Sequence, residues 1–486
     1  MRKNEKHPGR KSGILCGKRV VYVVAVFETY VNFFRRYPLL LAVGLISLLG
    51  TLGFAVIFPT LPLYLSEDLG ISAGIIGLIF GAYAASETIF KTPLGFLSDR
   101  LGRRPLIIAG LAISFLVPLA MTFVYHYLYF VALQFLNGFA IAAFWPALSA
   151  LTADKVPAEE RTTAMTVFNM SYLVALGLGP ALGTFINHAL SSHKAAFYAA
   201  ACLAFGAAVL GFLTLPGVAA GSRRNPEAGD GKEGPGAVLV RAFGSSGRVL
   251  GGLSFLWKNR VLAAMLVISL VQQFGAGMLA PIFVLFASRQ LGFSQADIGK
   301  SLLGPAVVVA VCALPLGRLA DNLGKQRAVE AAFLVAAASV LMIPETATVA
   351  ILICLIGMLG LAYVVGAPAW TAITTLVAPR EGRGTAIAAI GTMQSLGFIL
   401  GSSAGGFLYE HVTPAAPFHA CGSLLLTCFF LTLALVSPAV KSAPARRKES
   451  GAGGQTKFEE VSGLASGQSV ERTGATRGHE DAAGGP

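Results

Sequence analysis

Long, uninterrupted apolar segments dominate this sequence. Twelve of them run for about 20 residues or more, beginning with residues 38–65. A helix needs about 20 apolar residues to cross a bilayer, and a soluble fold of this length could not bury so many such segments. Strands of a membrane barrel would alternate polar and apolar residues, and these segments do not alternate. The pattern therefore predicts an all-α membrane protein with twelve transmembrane helices.

The composition agrees with a membrane protein. Hydrophobic residues make up 55% and charged residues 13% of the 486 residues, whereas soluble domains are about 25% charged. Backbone polar groups in hydrocarbon must pair internally, so each span is expected to be one continuous helix. The predicted spans are 38–65, 73–97, 105–125, 128–151, 163–188, 195–215, 261–288, 296–319, 327–345, 348–376, 385–409 and 416–438.

Lysine and arginine in the loops predict the orientation of the chain. They concentrate on one side, with both termini and the loop after span 6, and this side is expected to be cytoplasmic. The protein is thus predicted to be a multi-pass protein of the inner (plasma) membrane with both termini cytoplasmic. The net charge of +13 follows from this bias, and nucleic-acid binding is not expected. The opposite side carries only Lys194, Arg289 and Lys300.

The segments outside the spans are polar or basic. Residues 1–37 are predicted to be a basic cytoplasmic N-terminus, in which 20–34 form an interfacial helix or, alternatively, a signal sequence. Residues 216–260 are expected to be a cytoplasmic central loop, and residues 439–486 a disordered cytoplasmic tail. Two six-helix bundles, 38–215 and 261–438, make up the remainder.

Polar and conformationally special residues recur at a constant offset of 222 residues. Asp99 and Asp321 share this offset, as do Gly183 and Gly405. Chance matches of aspartate, arginine, proline and glycine at one offset are rare, so six spans are inferred to have been duplicated. Because six is even, both copies insert in the same orientation, which predicts two parallel halves with a substrate site between them.

The loop between spans 2 and 3 carries the strongest local motif, GFLSDRLGRR, and a degraded copy follows span 8. It resembles the cytoplasmic loop signature of the major facilitator superfamily, and the resemblance extends over residues 38–438. It implies that Asp99 contacts the start of span 11 and latches the cytoplasmic side shut. The alternative interpretation is that the motif serves only to set the orientation of the chain in the membrane. The latch residues implied are Gly95, Asp99, Arg100, Gly102, Arg103, Arg104, Asp321, Gly324 and Arg383.

Proline and glycine in spans 1 and 5 extend the resemblance. Pro59 and Pro62 in span 1, and Gly179, Pro180 and Gly183 in span 5, are similar to the motifs of twelve-span drug–proton antiporters. Small residues allow close helix packing, so ordinary packing is the alternative interpretation. The chain departs from the family in span 4. There a glutamine, Gln134, replaces the arginine often linked to proton transfer, which puts inheritance of that coupling mechanism in doubt.

Glu87 and Lys91 place opposite charges inside span 2. Each charge costs about 2.5–3.5 kcal/mol on insertion scales, so charged residues in spans are candidates for function. Four residues apart, the two side chains share a helix face and can pair. The hypothesis is that Glu87 titrates during transport and that Lys91 modulates the titration. The alternatives are a structural ion pair, or a Lys91 that extends to the cytoplasm.

Other polar or aromatic residues lie near the middle of the spans and are candidates to line a cavity. For each of them the alternative role is interhelical packing. A cavity with aromatic walls would suit flat or cationic ligands. Histidines at the external span ends, including His193, are interpreted as interfacial. The cavity candidates are Gln134, Asn137, Trp145, Asn169, Tyr172, Gln272, Gln273, Tyr363, Trp370 and Gln394.

The sequence contains no Walker loop and no H-E-x-x-H motif. We therefore expect neither an enzyme nor a cofactor or metal site. The prediction is a monomeric secondary transporter whose partners are a small-molecule substrate, protons and the bilayer. Proton-coupled efflux of lipophilic or cationic compounds is the leading hypothesis. The alternatives are transport of a metabolite such as a sugar, organic acid or lipid precursor, and a nontransporting scaffold or receptor.

Overall fold

The computed structural model describes residues 35–216, 259–306, 324–378 and 383–438. All regular structure in these ranges is helical. Eleven helices in the described part are long and apolar enough to cross a membrane, and a further helix occupies 295–306. The prediction of an all-α membrane protein is confirmed.

The helices are numbered here in chain order. The first six are α1 Pro38–Leu63, α2 Ala73–Leu101, α3 Arg103–Met121, α4 Tyr127–Asp154, α5 Arg161–Leu190 and α6 His193–Thr214. The second six are α7 Arg260–Arg289, α8 at 295–306, α9 Lys325–Met342, α10 Val349–Val377, α11 Arg383–His411 and α12 Ala416–Leu431. Helices α1 and α12 continue into single π-helical turns, Tyr64–Asp68 and Thr432–Val436.

Most predicted spans match these helices to within a few residues. The third span ends at Met121 rather than at 125, because the Thr122 hydroxyl donates to the carbonyl oxygen of Leu119 (2.7 Å) and the chain turns there. Several predictions lie outside the described residues: the interfacial helix at 20–34, residues 307–319 of span 8, Asp321 in the loop that follows it, the loop over 217–258 and the tail. The bundle boundaries therefore stay predictions.

Helix packing repeats between α1–α6, the first half, and α7–α12, the second half. Helix α1 packs against α5 and α6, and α7 packs against α11 and α12 in the same way. Helix α3 packs against α4 and α6, and α9 against α10 and α12. Equivalent helices thus have equivalent neighbours, as a duplication predicts.

Glycine conformations repeat at the same offset. Gly102 has a φ of 93° and Gly324 a φ of 86°, while Gly70 and Gly292 have φ values of 65° and 66°. Side chains other than glycine rarely adopt this region. The duplicated loops therefore keep their turn geometry as well as their sequence.

Close contacts between helix backbones repeat as well. A methyl group at Gly183 on α5 would lie 2.3 Å from the carbonyl oxygen of Val56 on α1. A methyl group at Gly405 on α11 would likewise lie 2.3 Å from the carbonyl oxygen of Met278 on α7. Both glycine–carbonyl pairs are related by the offset of 222, so each half is held together by the same backbone approach.

Gly183→Ala and Gly405→Ala are each expected to destabilise the protein. Overpacking against a backbone atom that cannot retract costs about 1–3 kcal/mol. The thermal unfolding midpoint in detergent should fall for both variants. Gly206→Ala is the control, because a methyl group there meets no atom within 4 Å and alanine favours the helix. Equal midpoints for the three variants would contradict this packing.

Candidate transport site and gate

The loops alternate between two faces of the helix bundle. The first face carries the α1–α2, α3–α4, α5–α6, α7–α8, α9–α10 and α11–α12 connections. The second face carries the α2–α3 and α4–α5 connections and the starts of α9 and α11.

Helices α2 and α11 bring the two halves into backbone contact near the first face. A methyl group at Gly77 would lie 2.2 Å from the carbonyl oxygen of Ser402. One at Gly406 would lie 2.2 Å from the carbonyl oxygen of Ala73. Only glycine permits so close a crossing, so this glycine seam closes the cleft between the halves at the first face.

Helix ends related by the internal repeat also meet at the first face. The Ser288 hydroxyl donates to Glu67 (3.0 Å), and the Arg289 guanidinium donates to the carbonyl oxygen of Ser66 (3.1 Å). Ser66 and Ser288 are repeat equivalents, as are Glu67 and Arg289. The pseudo-twofold relation between the halves therefore passes through this contact.

Two further contacts reinforce closure of the first face. The Gly74 amide donates to Glu410 (3.2 Å), and Thr184 on α5 packs against Gly299 on α8, where a methyl group would lie 2.5 Å from the Thr184 hydroxyl. The sequence has Thr184 where a second glycine is usual, and Gly299 accommodates its bulk. Including a contact between His193 and Gln295, four hydrogen-bonded contacts between described residues of the two halves lie at the first face.

The GFLSDRLGRR loop lies at the second face and is organised by Arg103. This guanidinium pairs with Asp99, binds the Ser98 hydroxyl (3.1 Å) and reaches Asp154 on α4 (3.4 Å). Arg104 donates to the carbonyl oxygen of Phe212 (2.7 Å). The loop therefore fastens α2 to its own half.

The expected contact between Asp99 and Arg383 is absent from the described part of this conformation. Asp99 pairs with Arg103 instead, and Arg383 is exposed and makes no ion pair with another described residue. Gly95 is half-buried, with open space beside its Cα. The latch across the halves stays a prediction for a conformation in which the second face is closed.

Glu87 and Lys91 form the ion pair that their spacing predicts. The Lys91 ammonium lies 3.1 Å from the Glu87 carboxylate, and the two side chains are 54% and 27% exposed respectively. A partly exposed pair is loosely held. The carboxylate is therefore available to another cation.

A cluster of aromatic rings extends from this carboxylate through Tyr172. Trp145 on α4 packs between Phe168 and Tyr172 on α5, each with ring centroids 4.7 Å away. Tyr172 is close enough to interact electrostatically with both Glu87 and Tyr363. Tyr363 belongs to the second half and is 66% exposed, so the aromatic site receives residues from both halves.

Sequence reasoning missed three members of this site. Tyr83 lies one turn before Glu87 and interacts with it, and Phe54 on α1 stacks on Tyr83 with ring centroids 5.2 Å apart. Phe168 is the third. The i, i+4 spacing of Tyr83 and Glu87 could have revealed the first, whereas Phe54 and Phe168 resemble the many other apolar residues of their spans.

Three predicted cavity residues are instead buried in helix packing. The Asn137 amide donates to Gln134 (3.0 Å) within α4, and both are buried. The Trp370 indole donates to Ser269 on α7 (3.0 Å) inside the second half. Each of these polar groups has a hydrogen-bond partner among the packed helices. These three residues therefore match the alternative interpretation, in which polar residues of the spans serve helix packing rather than line a cavity.

The remaining candidates keep partial exposure. Asn169 is exposed on α5, and Gln272, Gln273 and Gln394 are half-buried on α7 and α11. None of the four makes a side-chain hydrogen bond to another described residue. They stay candidates for the cavity wall.

The proline and glycine motif packs α1 against α5. A methyl group at Gly179 would lie 2.3 Å from the Cβ of Ala55. Pro59 and Pro62 are buried in α1, and Pro180 is half-buried in α5. The motif is thus placed inside the first half, beside the α5–α8 contact that joins the halves.

This geometry is that of a helical membrane transporter, in which two repeated halves enclose a site and close over it at one face. The family model for the Major Facilitator Superfamily matches residues 43–274 and 265–473. The chain belongs to the major facilitator superfamily. The predicted family is thereby confirmed, and the family's members are transporters rather than enzymes.

Curated relatives and solved structures agree with this family. The chain is 26% identical over 388 residues to Multidrug resistance protein 2 of Bacillus subtilis, covering 79% of this chain and 91% of that protein. It is 25% identical over 262 residues to the quinolone resistance protein NorA of Staphylococcus aureus, covering 54% and 61%. The nucleoside transporter NupG has the same fold, with a TM-score of 0.62, 13% identity and coverage of 82% and 99%.

Gly77→Ala is expected to open the first face. Its methyl group would collide with the Ser402 carbonyl only while α2 and α11 are in contact, so the substitution penalises the closed conformation. Spin labels at Leu190 and Val412, which are exposed near the first face on opposite halves, report the distance across it. That distance should lengthen in Gly77→Ala and stay unchanged in Gly206→Ala. A wild-type distance in Gly77→Ala would refute the seam.

Proposed function

We propose that this transporter exports lipophilic cations in exchange for protons, and that the two compete for Glu87. The observation that carries the proposal is an acidic side chain, paired to a lysine, within an aromatic site formed by both halves. Aromatic faces attract cations, and a carboxylate selects them by charge. No other carboxylate lies in the middle of a described span.

Orientation follows from the loop charges. Arg100, Arg103, Arg104 and Arg383 mark the second face as cytoplasmic, by the positive-inside rule. The closed first face is then external, and the described conformation faces the cytoplasm. Asp99 and the start of α11 would meet when the transporter turns outward and its cytoplasmic side closes.

The exchange mechanism needs only one carboxylate. In the cytoplasm-facing state, a cationic compound displaces the Lys91 ammonium from Glu87 and packs on Tyr172 and Trp145. After the halves rock, a proton from outside neutralises Glu87 and releases the cation. Because a protonated Glu87 cannot hold the cation, the two ligands exclude each other, which is the requirement for antiport.

The relatives support efflux as the direction. Both the Bacillus subtilis and the Staphylococcus aureus protein are named for drug resistance. Their identities to this chain, 26% and 25%, leave the substrate to experiment. Transport of a metabolite is the alternative that the following test separates.

Glu87→Gln is expected to abolish export of cationic compounds. The glutamine keeps the shape of the side chain, but it carries no charge to attract the cation and does not bind a proton near neutral pH. Efflux should therefore fall at least about tenfold. The measurement is resistance and dye efflux in an efflux-deficient bacterium. Glu345→Gln removes a carboxylate outside the site and should behave as wild type. Full cation export by Glu87→Gln would refute the proposal, and wild-type activity confined to metabolites would favour the alternative.

Lys91→Met is expected to increase the affinity for cationic substrates. Lys91 competes with the substrate for Glu87, and a partly exposed ion pair is worth up to about 1 kcal/mol, so affinity should rise by up to about fivefold. Binding of a fluorescent lipophilic cation to the purified protein measures this. Weaker binding by Lys91→Met would show that the lysine supports the substrate rather than competing with it.

A further inference from the structure

His193 lies in a polar cluster that joins the two halves at the first face. It is the first residue of α6, and its side chain is 11% exposed. Its Nδ1 lies 3.0 Å from Asp68 and its Nε2 lies 3.5 Å from Glu67, both at the end of α1. Its Nε2 also lies 2.7 Å from the Gln295 amide nitrogen. Gln295 begins α8, so one imidazole touches both halves.

Both ring nitrogens of His193 face carboxylates, Nδ1 that of Asp68 at 3.0 Å and Nε2 that of Glu67 at 3.5 Å. Nδ1 faces the carboxylate of Asp68, which can only accept, so Nδ1 carries a hydrogen. The oxygen Oε1 of Gln295 is buried without a partner, and a buried acceptor without a hydrogen bond is destabilising. A half-turn of the amide brings this oxygen to Nε2 of His193, and that bond requires a second hydrogen on the ring. The cation so formed faces two carboxylates.

Other charged groups near the cluster are directed elsewhere. Lys194 donates to the carbonyl oxygen of Thr122 (3.0 Å) and lies over the Tyr125 ring. Arg289 binds the Ser66 carbonyl on α1, and Asp297 on α8 pairs with Lys300. His188 faces the same cavity from α5. In the described surroundings, His193 is therefore the one basic side chain in contact with Glu67 and Asp68.

A polar cavity gives protons access to the ring. It has a volume of about 410 Å³ and is lined by Asp68, Asn187, His188, Ser191, His193 and Gln295 among others. Asn187 is 2% exposed, and its Oδ1 is also without a hydrogen-bond partner. Unpaired polar atoms in a cavity of this size are sites for water, through which protons can travel from the first face.

We propose that His193 is a proton-binding site that holds the first face closed. Histidine ordinarily changes charge between about pH 5 and 8. Opening the first face would separate α6 from α8 and break the contact between His193 and Gln295, so a proton on Nε2 that bonds to the Gln295 oxygen favours the closed conformation. By linkage, acid at this face stabilises closure and alkali releases it. The inference rests on the alternating-access transport and the orientation proposed above.

In antiport, such a site would make the transporter respond to external pH. After the substrate leaves and Glu87 takes its proton, a second proton at His193 would favour closure of the external side and return to the cytoplasm-facing state. His193 is thus assigned a gating role distinct from substrate binding at Glu87. It touches neither the aromatic site nor the substrate.

The test measures conformation rather than transport. Spin labels at Leu190 and Val412, in a variant whose six native cysteines are replaced, report closure of the first face in nanodiscs. All measurements use a Glu87→Gln background, so that protonation of Glu87 does not contribute and failure of the proposed efflux function leaves this test intact. The closed population should fall at least threefold between pH 5.5 and pH 8.

Substitutions at the cluster should separate charge from packing. His193→Gln should abolish the pH response, and His193→Lys, a permanent cation, should keep the face closed at both pH values. His188→Gln, in the same cavity, should respond as its parent does. Gln295→Ala leaves the ring intact and should at least halve the response, which maintains the test if His193→Gln does not fold.

Three results would overturn the proposal. The first is an undiminished pH response in His193→Gln. The second is equal opening of His193→Gln and His193→Lys at both pH values, which would mean that the ring acts only in packing. The third is a parent protein whose closed population does not depend on pH.

Discussion

Backbone-to-backbone contact at glycine is the interaction on which this structure depends. In a bilayer, lipid tails are as apolar as the side chains, so helices gain specificity from close packing rather than from burial of apolar surface. Gly183 and Gly405 let α5 and α11 approach α1 and α7 within each half, and Gly77 and Gly406 let α2 and α11 cross between the halves. The same device therefore builds each bundle and closes the gate between them.

The location of these contacts explains how the protein can move. Glycine contacts tie helices together within each half, and the Arg103 ion pairs do so in the first half. Four hydrogen-bonded contacts between described residues of the two halves lie at the first face. Two stiff units that meet along a narrow seam can rock. The Glu87–Lys91 pair and its aromatic neighbours lie away from this seam, where rocking would change their exposure.

Much of the fold was predictable because its signals are local. Apolar length fixed the spans, and the offset of 222 residues fixed the repeat, which recurs in the φ angles of Gly102 and Gly324. The Glu87–Lys91 pair followed from helical spacing. The inward or outward direction of Gln134 and Trp370 could not be predicted, because these helices are apolar on all sides and their sequence does not mark the buried face. The His193 cluster combines residues from α1, α6 and α8, and no local pattern connects them.

The most direct measurement is transport by a protein whose seam can be locked. Cysteines at Gly81 and Ser402 face each other across it, since a methyl group at Gly81 would lie 3.2 Å from the Ser402 hydroxyl. Oxidation of the double variant should stop transport, reduction should restore it, and each single variant should be indifferent to oxidant. Undiminished transport with the disulfide formed would show that the halves need not separate at the seam, and would contradict the account.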